Sequence, residues 1–387
     1  MFGRHQGELV KEVVSKVWGE LRRNHSLVVN ETLVGIGDHV EEMLTLLSVN
    51  SSNVRIVGIY GMGGIGKTTI AKVIYNQLSQ HFDSCCFLAD VRETAQHKGL
   101  VHLQNQLISN ILTQRCADIS TVDEGTNVIK ERFSGKKVLV VVDDADHRDH
   151  LQALALVGKC EWFGSGSRII VTTRKKEILN PTEVNWWTYE PKELDFNQSL
   201  QLFSRHAFRT DRPPQYYDIL SMDVVFTAGG LPLVLEIIGS FLSGKGKEAW
   251  EDTLKQLERI PVQHKLIISF RALETAQKNI FLDIACLFTG VDRRIALHMW
   301  NGCGFYPEHE IEVLRLMSLV KIGDNNELMI HDLLRDLGRE IVCQESVMEP
   351  GKRSRVWFHE DAYHILNHHT SHRHAVLRMK NLHTYLI

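Results

Sequence analysis

The stretch GMGGIGKTT, residues 61 to 69, decides how the rest of this chain reads. It satisfies the pattern G-x-x-x-x-G-K-[ST] with Gly61, Gly66, Lys67 and Thr68. The apolar run Val54 to Tyr60 before it has the pattern of a buried strand, and Lys67 to Leu78 after it has that of a helix. A strand feeding a glycine-rich turn and then a helix aims free backbone N–H groups, and the positive end of the helix dipole, at a bound phosphate. The glycines allow the backbone to wrap the anion without Cβ collisions. Lys67 bridges the outer phosphates and the Thr68 hydroxyl ligates Mg²⁺. A glycine-rich surface turn is the plainer alternative, and the flanking strand and helix weigh against it.

Further apolar runs occur at Cys85 to Leu88, Val138 to Val142 and Arg168 to Thr172, separated by helical patterns over Leu100 to Leu112 and Gly125 to Phe133. Strands alternating with helices predict a doubly wound parallel sheet of the α/β class. In KKVLVVVDDAD, residues 136 to 146, Asp143 and Asp144 fall at the carboxyl end of a fully apolar strand, where ligands of such sheets gather. A first Asp there can hold Mg²⁺ through water, and a second can polarise an attacking water. An acidic turn with Asp as a helix cap is the alternative. GSRIIVTTR, residues 166 to 174, ends another strand in Thr172, Thr173 and Arg174. Arg174 reads equally as a γ-phosphate sensor and as a surface arginine.

No proline precedes Pro181, the first of the eight. From about Phe196 the pattern is helical: Asn197 to Phe208, Gln215 to Ala228, Leu231 to Leu242, Lys247 to Glu258 and Ala276 to Phe288. The stretch Ile311 to Ile330 predicts a helix, a turn at Gly323 to Asn326 and a short strand, ahead of a helix over Leu333 to Val342. Helices followed by a small hairpin suggest a winged-helix unit. Near the start, residues 8 to 23 (ELVKEVVSKVWGELRR) form an amphipathic helical pattern, and a second helix follows an irregular stretch and an apolar turn at Leu33 to Ile36.

The 387 residues carry 44 Lys and Arg against 47 Asp and Glu, a net charge of −3, which disfavours a binder held by the nucleic-acid backbone. Hydrophobic residues at 43% and charged residues at 24% suit a globular protein able to bury a core. No apolar run is long enough to span a bilayer, and the first residues lack the apolar core of a secretory signal, so an intracellular protein is expected. Its seven cysteines (Cys85, Cys86, Cys116, Cys160, Cys286, Cys303, Cys343) show no C-x-x-C spacing and read as reduced small hydrophobes.

The three phosphate-site motifs are followed by GGLPL at 229 to 233, FLDIACLF at 281 to 288 and IHDLLRDLGREIV at 330 to 342. This ordered series resembles the NB-ARC module of plant intracellular immune receptors, from LVGI at 33 to 36 through PGKRSRVW at 350 to 357. Asp146 and FLDIAC resemble the class carrying an N-terminal TIR domain; the TIR domain and the leucine-rich repeats fall outside these residues. The resemblance implies a P-loop NTPase of the STAND class, a switch off with ADP and on with ATP in defence signalling. Its implied layout is a linker with an amphipathic helix at 1–32, a nucleotide-binding domain at 33–190, a helical ARC subdomain at 191–260, a winged-helix subdomain at 261–345 and a tail at 346–387 leading towards repeats. Carried over, Gly61, Gly63, Gly64, Ile65, Gly66, Lys67, Thr68 and Thr69 hold phosphates, Thr68 and Asp143 hold Mg²⁺, Asp144 is the base-like acid with Lys67 beside it, and Arg174 is the sensor. Val34, Gly35 and Ile36 line the base pocket, Pro232 packs near the adenine and His331 reaches the β-phosphate of ADP.

Some of these residues also have structural readings. Gly229 and Gly230 can end one helix while Pro232 starts the next, and Asp332 can be the N-cap of a helix beginning at Leu333. Two positions depart from the family: Ile330 replaces the usual Met of Met-His-Asp, and Leu287 stands where an aromatic residue is more frequent. The implied partners are the nucleotide, further copies of the chain or full-length immune receptors, with no direct nucleic acid. The implied location is cytoplasmic, with the nucleus as a second compartment. A multiple-turnover ATPase or small kinase with Asp144 as base, and a non-signalling truncated regulator, are the competing functions. Seven tail histidines (His359, His364, His368, His369, His372, His374, His383) raise a zinc site, against which stands a solvated polar tail.

Overall fold

The computed structural model describes residues 27–29, 33–112, 119–157, 162–179, 186–302 and 304–368. The amphipathic pattern at 8–23 lies outside them, as do Cys116, Cys160, Pro181, Cys303, His369, His372, His374 and His383. Cys85, Cys86, Cys286 and Cys343 are free thiols. No helix among the described residues is long and apolar enough to cross a membrane. The chain divides at Lys192 into two compact units.

The first unit is a parallel sheet of five strands in the order β2-β3-β4-β1-β5. These are β1 (Arg55–Tyr60), β2 (Ser84–Leu88), β3 (Val138–Val142), β4 (Arg168–Thr173) and β5 (Trp186–Tyr189). The helices are α1 (Ile36–Leu47), α2 (Lys67–Leu78), α3 (Val91–Lys98), α4 (Leu100–Ile111), α5 (Val122–Arg132) and α6 (Arg148–Ala153). The run VLVVV in β3 lacks alternation because both sheet faces are covered. Val138, Val140 and Val142 face a core built with Leu103, Leu107, Ile111 and Phe133 from the α4–α5 side. Leu139 and Val141 face Met43 and Leu47 of α1 and Ile70 and Ile74 of α2. The four strands read from the sequence are present. Strand β5, an edge strand whose Trp187 is exposed, carries no long apolar run, and α3 and α6 are short and polar; periodicity is weak in all three.

At the amino end of the sheet, fully buried Arg168 performs a structural task. Its guanidinium donates to the carbonyls of Leu47, Ser48, Ser51, Asn53 and Ser167, which closes the last turn of α1 and fixes the loop into β1. A charged donor shared among these carbonyls satisfies backbone groups that have no water to turn to.

The second unit opens with α7 (Phe196–Phe208), α8 (Asp218–Ala228), α9 (Pro232–Leu242), α10 (Lys247–Glu258) and α11 (Ile267–Arg271). A box caps α7, with Asp195 accepting from the Gln198 N–H and the Gln198 side chain bonding back. Trp250 of α10 packs edge-on to Phe203 and stacks on Phe208. A winged-helix arrangement follows: α12 (Thr275–Asp283), continued by a π turn at Ile284–Phe288, then α13 (Arg293–Gly302), α14 (Pro307–Leu316), the antiparallel hairpin β6 (Lys321–Ile322) and β7 (Leu328–Met329), and α15 (Asp332–Glu345). A last helix, α16 (His359–His368), carries His359, His364 and His368.

Two motifs singled out in the sequence meet inside this unit. Asp283 of FLDIACLF accepts from Arg355 Nε of PGKRSRVW at 2.7 Å and from Trp300 Nε1 at 2.9 Å, and Arg355 also donates to the Asn279 carbonyl at 3.0 Å. The buried ion pair, with side chains 2% and 6% exposed, ties the segment after α15 back onto α12. Replacing Arg168 by Met should lower unfolding free energy by about 3 kcal/mol or more, since several buried carbonyls lose their donor. Arg355→Met should cost about 3–5 kcal/mol by leaving Asp283 buried and without its counter-charge. Urea denaturation of each variant against the parent measures both.

Candidate nucleotide site

The phosphate loop leaves β1 at Tyr60 and enters α2 at Lys67. Gly61, Gly64 and Gly66 have φ of 146°, 77° and 104°, conformations that side chains with a Cβ resist, so glycine is required for this path. Buried Ile65 anchors the loop from below while Gly63 and Thr69 are half-buried. Lys67 is 8% exposed, and its Nζ donates to the Gly61 and Met62 carbonyls at 2.7 and 2.8 Å. The ammonium is therefore held over the loop whose N–H groups open the helix, a cradle suited to a polyphosphate.

Beside the cradle, three strand exits converge on Asp143. Its Oδ1 accepts from Thr68 Oγ1 at 2.8 Å and from Thr172 Oγ1 at 2.6 Å. Burial pushes the Asp143 carboxyl up to about 6, the two threonine hydroxyls oppose the rise, and the nearby charges of Asp90 and Asp144 add to it. A threonine hydroxyl and a carboxylate are hard oxygen donors of the kind Mg²⁺ takes with phosphate oxygens, so the residues present fit that ion.

Asp144 adopts a left-handed φ of 55° and is 6% exposed. Its N–H donates to Thr172 Oγ1 at 2.9 Å, and its carboxylate lies between two guanidiniums. Arg92 Nε donates to Oδ2 at 3.0 Å, and Arg174 Nε is 3.4 Å from Oδ1. Arg92 was not singled out in the sequence. It stands in the first turn of α3, just past the end of β2, and a charged residue closely following a strand on the binding edge of the sheet is the signal that could have found it.

The structure thus brings together the phosphate loop, Asp143, Asp144 and Arg174, all in the first unit. Val34 and Ile36 are half-buried there, flanking Gly35, whose φ of 69° turns the chain into α1. Pro232 and His331 belong to the second unit. Pro232 is the first residue of α9, after Gly229 and Gly230 with φ of 70° and 69°. A Cβ on Gly230 would lie 2.7 Å from the Leu194 carbonyl oxygen, so the turn has no room for one. His331, rather than Asp332, is the N-cap of α15: its Nδ1 accepts from the Leu333 N–H at 3.2 Å, and its ψ of 141° is extended. Asp332 is instead the first helical residue, where a carboxylate suits the helix dipole, and it also contacts His331 Nδ1. Both contacts use Nδ1. Ile330 beside it is buried, and Leu287 is half-buried.

The NB-ARC domain model matches residues 36–212, and a "Disease resistance protein Roq1-like, winged-helix domain" model matches residues 274–346. This chain belongs to the NB-ARC family of plant disease resistance proteins. Disease resistance protein RPV1 of Vitis rotundifolia is 41% identical over 358 residues, covering 92% of this chain and 25% of that protein. TMV resistance protein N of Nicotiana glutinosa is 36% identical over 373 residues, covering 94% of this chain and 32% of that protein. The chain therefore spans about a quarter to a third of the length of these relatives. Among solved structures, a Signal Transduction ATPase with Numerous Domains from Pyrococcus horikoshii, with a tetratricopeptide repeat sensor, aligns with a TM-score of 0.50 at 17% identity. The alignment covers 83% of this chain and 44% of that one, a likeness of fold.

The double use of Thr172, donating to Asp143 and accepting from the Asp144 N–H, makes it a keystone of the NB-ARC site. Thr172→Val, close in shape, should lower stability by about 1–3 kcal/mol because the Asp144 N–H is left without its partner. Chemical denaturation is the readout.

Proposed function

We propose that this NB-ARC module is an ADP/ATP switch of a plant immune receptor, off with ADP and on with ATP. The single observation that carries the reading is the cradle and its oxygen pair: Lys67 held over a positive-φ loop, with Thr68 hydrogen-bonded to buried Asp143. In this reading the loop 61–69 holds the phosphates, and Thr68 and Asp143 hold Mg²⁺, which when bound neutralises phosphate charge. Val34 to Ile36 receive the base, and Pro232 packs near it. The working parts are a linker at 1–32, a nucleotide domain at 33–190, a helical subdomain at 191–260, a winged helix at 261–345 and a tail at 346–387.

Moving a two-state equilibrium from 1:99 to 99:1 needs about 5.5 kcal/mol of differential binding, whereas one hydrogen bond to a charged group contributes about 1.5–3 kcal/mol. His331 alone therefore cannot hold the off state. ADP acts through contacts shared among the phosphate loop, Pro232 and His331, with His331 Nε2 donating to the β-phosphate. Exchange for ATP then releases the winged helix and exposes a surface for other copies of the chain or for full-length receptors, in the cytoplasm or the nucleus. A steady-turnover ATPase with Asp144 as base is less well supported. Arg92 and Arg174 already engage that carboxylate, one at each oxygen.

The test is to purify the chain without added nucleotide, denature it and identify what is released by chromatography. Near-stoichiometric ADP is expected from the parent and little from Lys67→Ala. His331→Ala should weaken ADP binding about tenfold to a hundredfold. An empty parent that turns over added ATP repeatedly would favour the ATPase reading, and ADP retention unaffected by His331→Ala would remove that residue from the lock.

A further inference from the structure

Asp144 poses a problem that the sensor role of Arg174 sharpens. The carboxylate is almost fully buried, and each of its oxygens faces a guanidinium, Oδ2 that of Arg92 and Oδ1 that of Arg174. If Arg174 is to turn towards a γ-phosphate, it must loosen its hold on Asp144. A buried carboxylate abandoned by its counter-charge is costly, and that cost would be set against every ATP bound.

The position of Arg92 answers this. The Val91 N–H donates to the Asp143 carbonyl at 2.9 Å, the Arg92 N–H donates to the Asp144 carbonyl at 3.2 Å, and the Asp143 N–H donates to the Leu88 carbonyl at 2.9 Å. The first turn of α3 is thus bonded directly to the backbone of the two aspartates. Arg92 is delivered to Asp144 by main-chain geometry that does not depend on Arg174 or on any ligand. Its contact is also the shorter of the two, 3.0 Å against 3.4 Å.

We propose that Arg92 is a positioning residue that keeps Asp144 neutralised when Arg174 engages the γ-phosphate, and so sets the preference of the site between ATP and ADP. The inference rests on the switch reading above and names the residue that tunes it. ADP has no γ-phosphate and asks nothing of Arg174, so its binding is indifferent to Arg92. ATP binding is not. Without Arg92 the Asp144 carboxylate leans more on Arg174 and competes with the γ-phosphate for it.

The experiment measures the affinities of the whole chain for ADP and for a non-hydrolysable ATP analogue with Mg²⁺, by titration calorimetry after bound nucleotide is removed. Arg92→Ala should weaken the ATP analogue by about tenfold or more relative to ADP, with ADP affinity close to that of the parent. Arg92→Lys, which keeps the charge, should recover part of the difference. Adding Asp144→Asn to Arg92→Ala should return the ratio to that of Asp144→Asn alone, because a neutral side chain no longer claims Arg174. An unchanged ratio in Arg92→Ala, or an equal loss of both nucleotides, overturns the inference and makes Arg92 a support of the loop. Should Arg92→Ala not fold, the same ratio is read from Arg92→Lys and Arg92→Gln, and equal ratios in those two also overturn it. A parent that binds neither nucleotide overturns the switch reading itself, whereas a parent that binds both while the variants keep its ratio overturns only the role of Arg92.

Discussion

Asp143 is a carboxylate placed where carboxylates are expensive, and the nucleotide unit is organised around making it tolerable. Thr68 from the first turn of α2 and Thr172 from the end of β4 both donate to one of its oxygens. Those bonds tie the phosphate loop, β3 and β4 into one rigid edge. Thr172 then accepts from the next residue's N–H, and the backbone of both aspartates accepts the first amides of α3. Burial still leaves the group with a raised affinity for a proton. A carboxylate so held is prepared for a positive charge close by, and the neighbouring lysine loop prepares the same edge for a negative one. Such preorganisation lowers the reorganisation needed when a charged ligand binds.

Charge elsewhere in the molecule is handled in the same manner. Arg168 is dispersed over carbonyls at the far end of the sheet, and Arg355 is matched by Asp283 inside the winged-helix part. Neither belongs to the nucleotide site, yet each fastens a segment the hydrophobic pattern alone would leave loose. The Asp283–Arg355 pair joins two motifs of this chain, FLDIACLF and PGKRSRVW, across 72 residues as two halves of one contact. Asp144 differs from these in meeting, among the described residues, two guanidiniums at unequal distances, 3.0 and 3.4 Å.

Much of this was legible in the chain. The runs ending at Tyr60, Leu88, Val142 and Thr173 read as strands because they are continuous and apolar, and the helix after Lys67 read as a helix because its glycine-rich start and periodic face agree. Strand β5 escaped because Trp186–Tyr189 forms an edge with an exposed face, and α3 escaped because only Val91 of its residues is buried. The cap of α15 lies one residue earlier than residue type suggests: Asp is the commoner cap, and the choice of His331 depends on a backbone ψ that no composition encodes.

The sequence by itself determined the phosphate loop, the α/β class and the family, since each depends on residue type at fixed local spacing. Glycine with positive φ, lysine at the helix start and aspartate after an apolar run are local facts. Tertiary structure alone decided that Arg92 meets Asp144 and that Thr172 serves two aspartates. Those pairings join residues 52 and 28 positions apart, across strands whose order in the sheet, β2-β3-β4-β1-β5, is not their order in the chain. Side-chain hydrogen bonds act over a few ångströms of space, and only the folded sheet sets that distance.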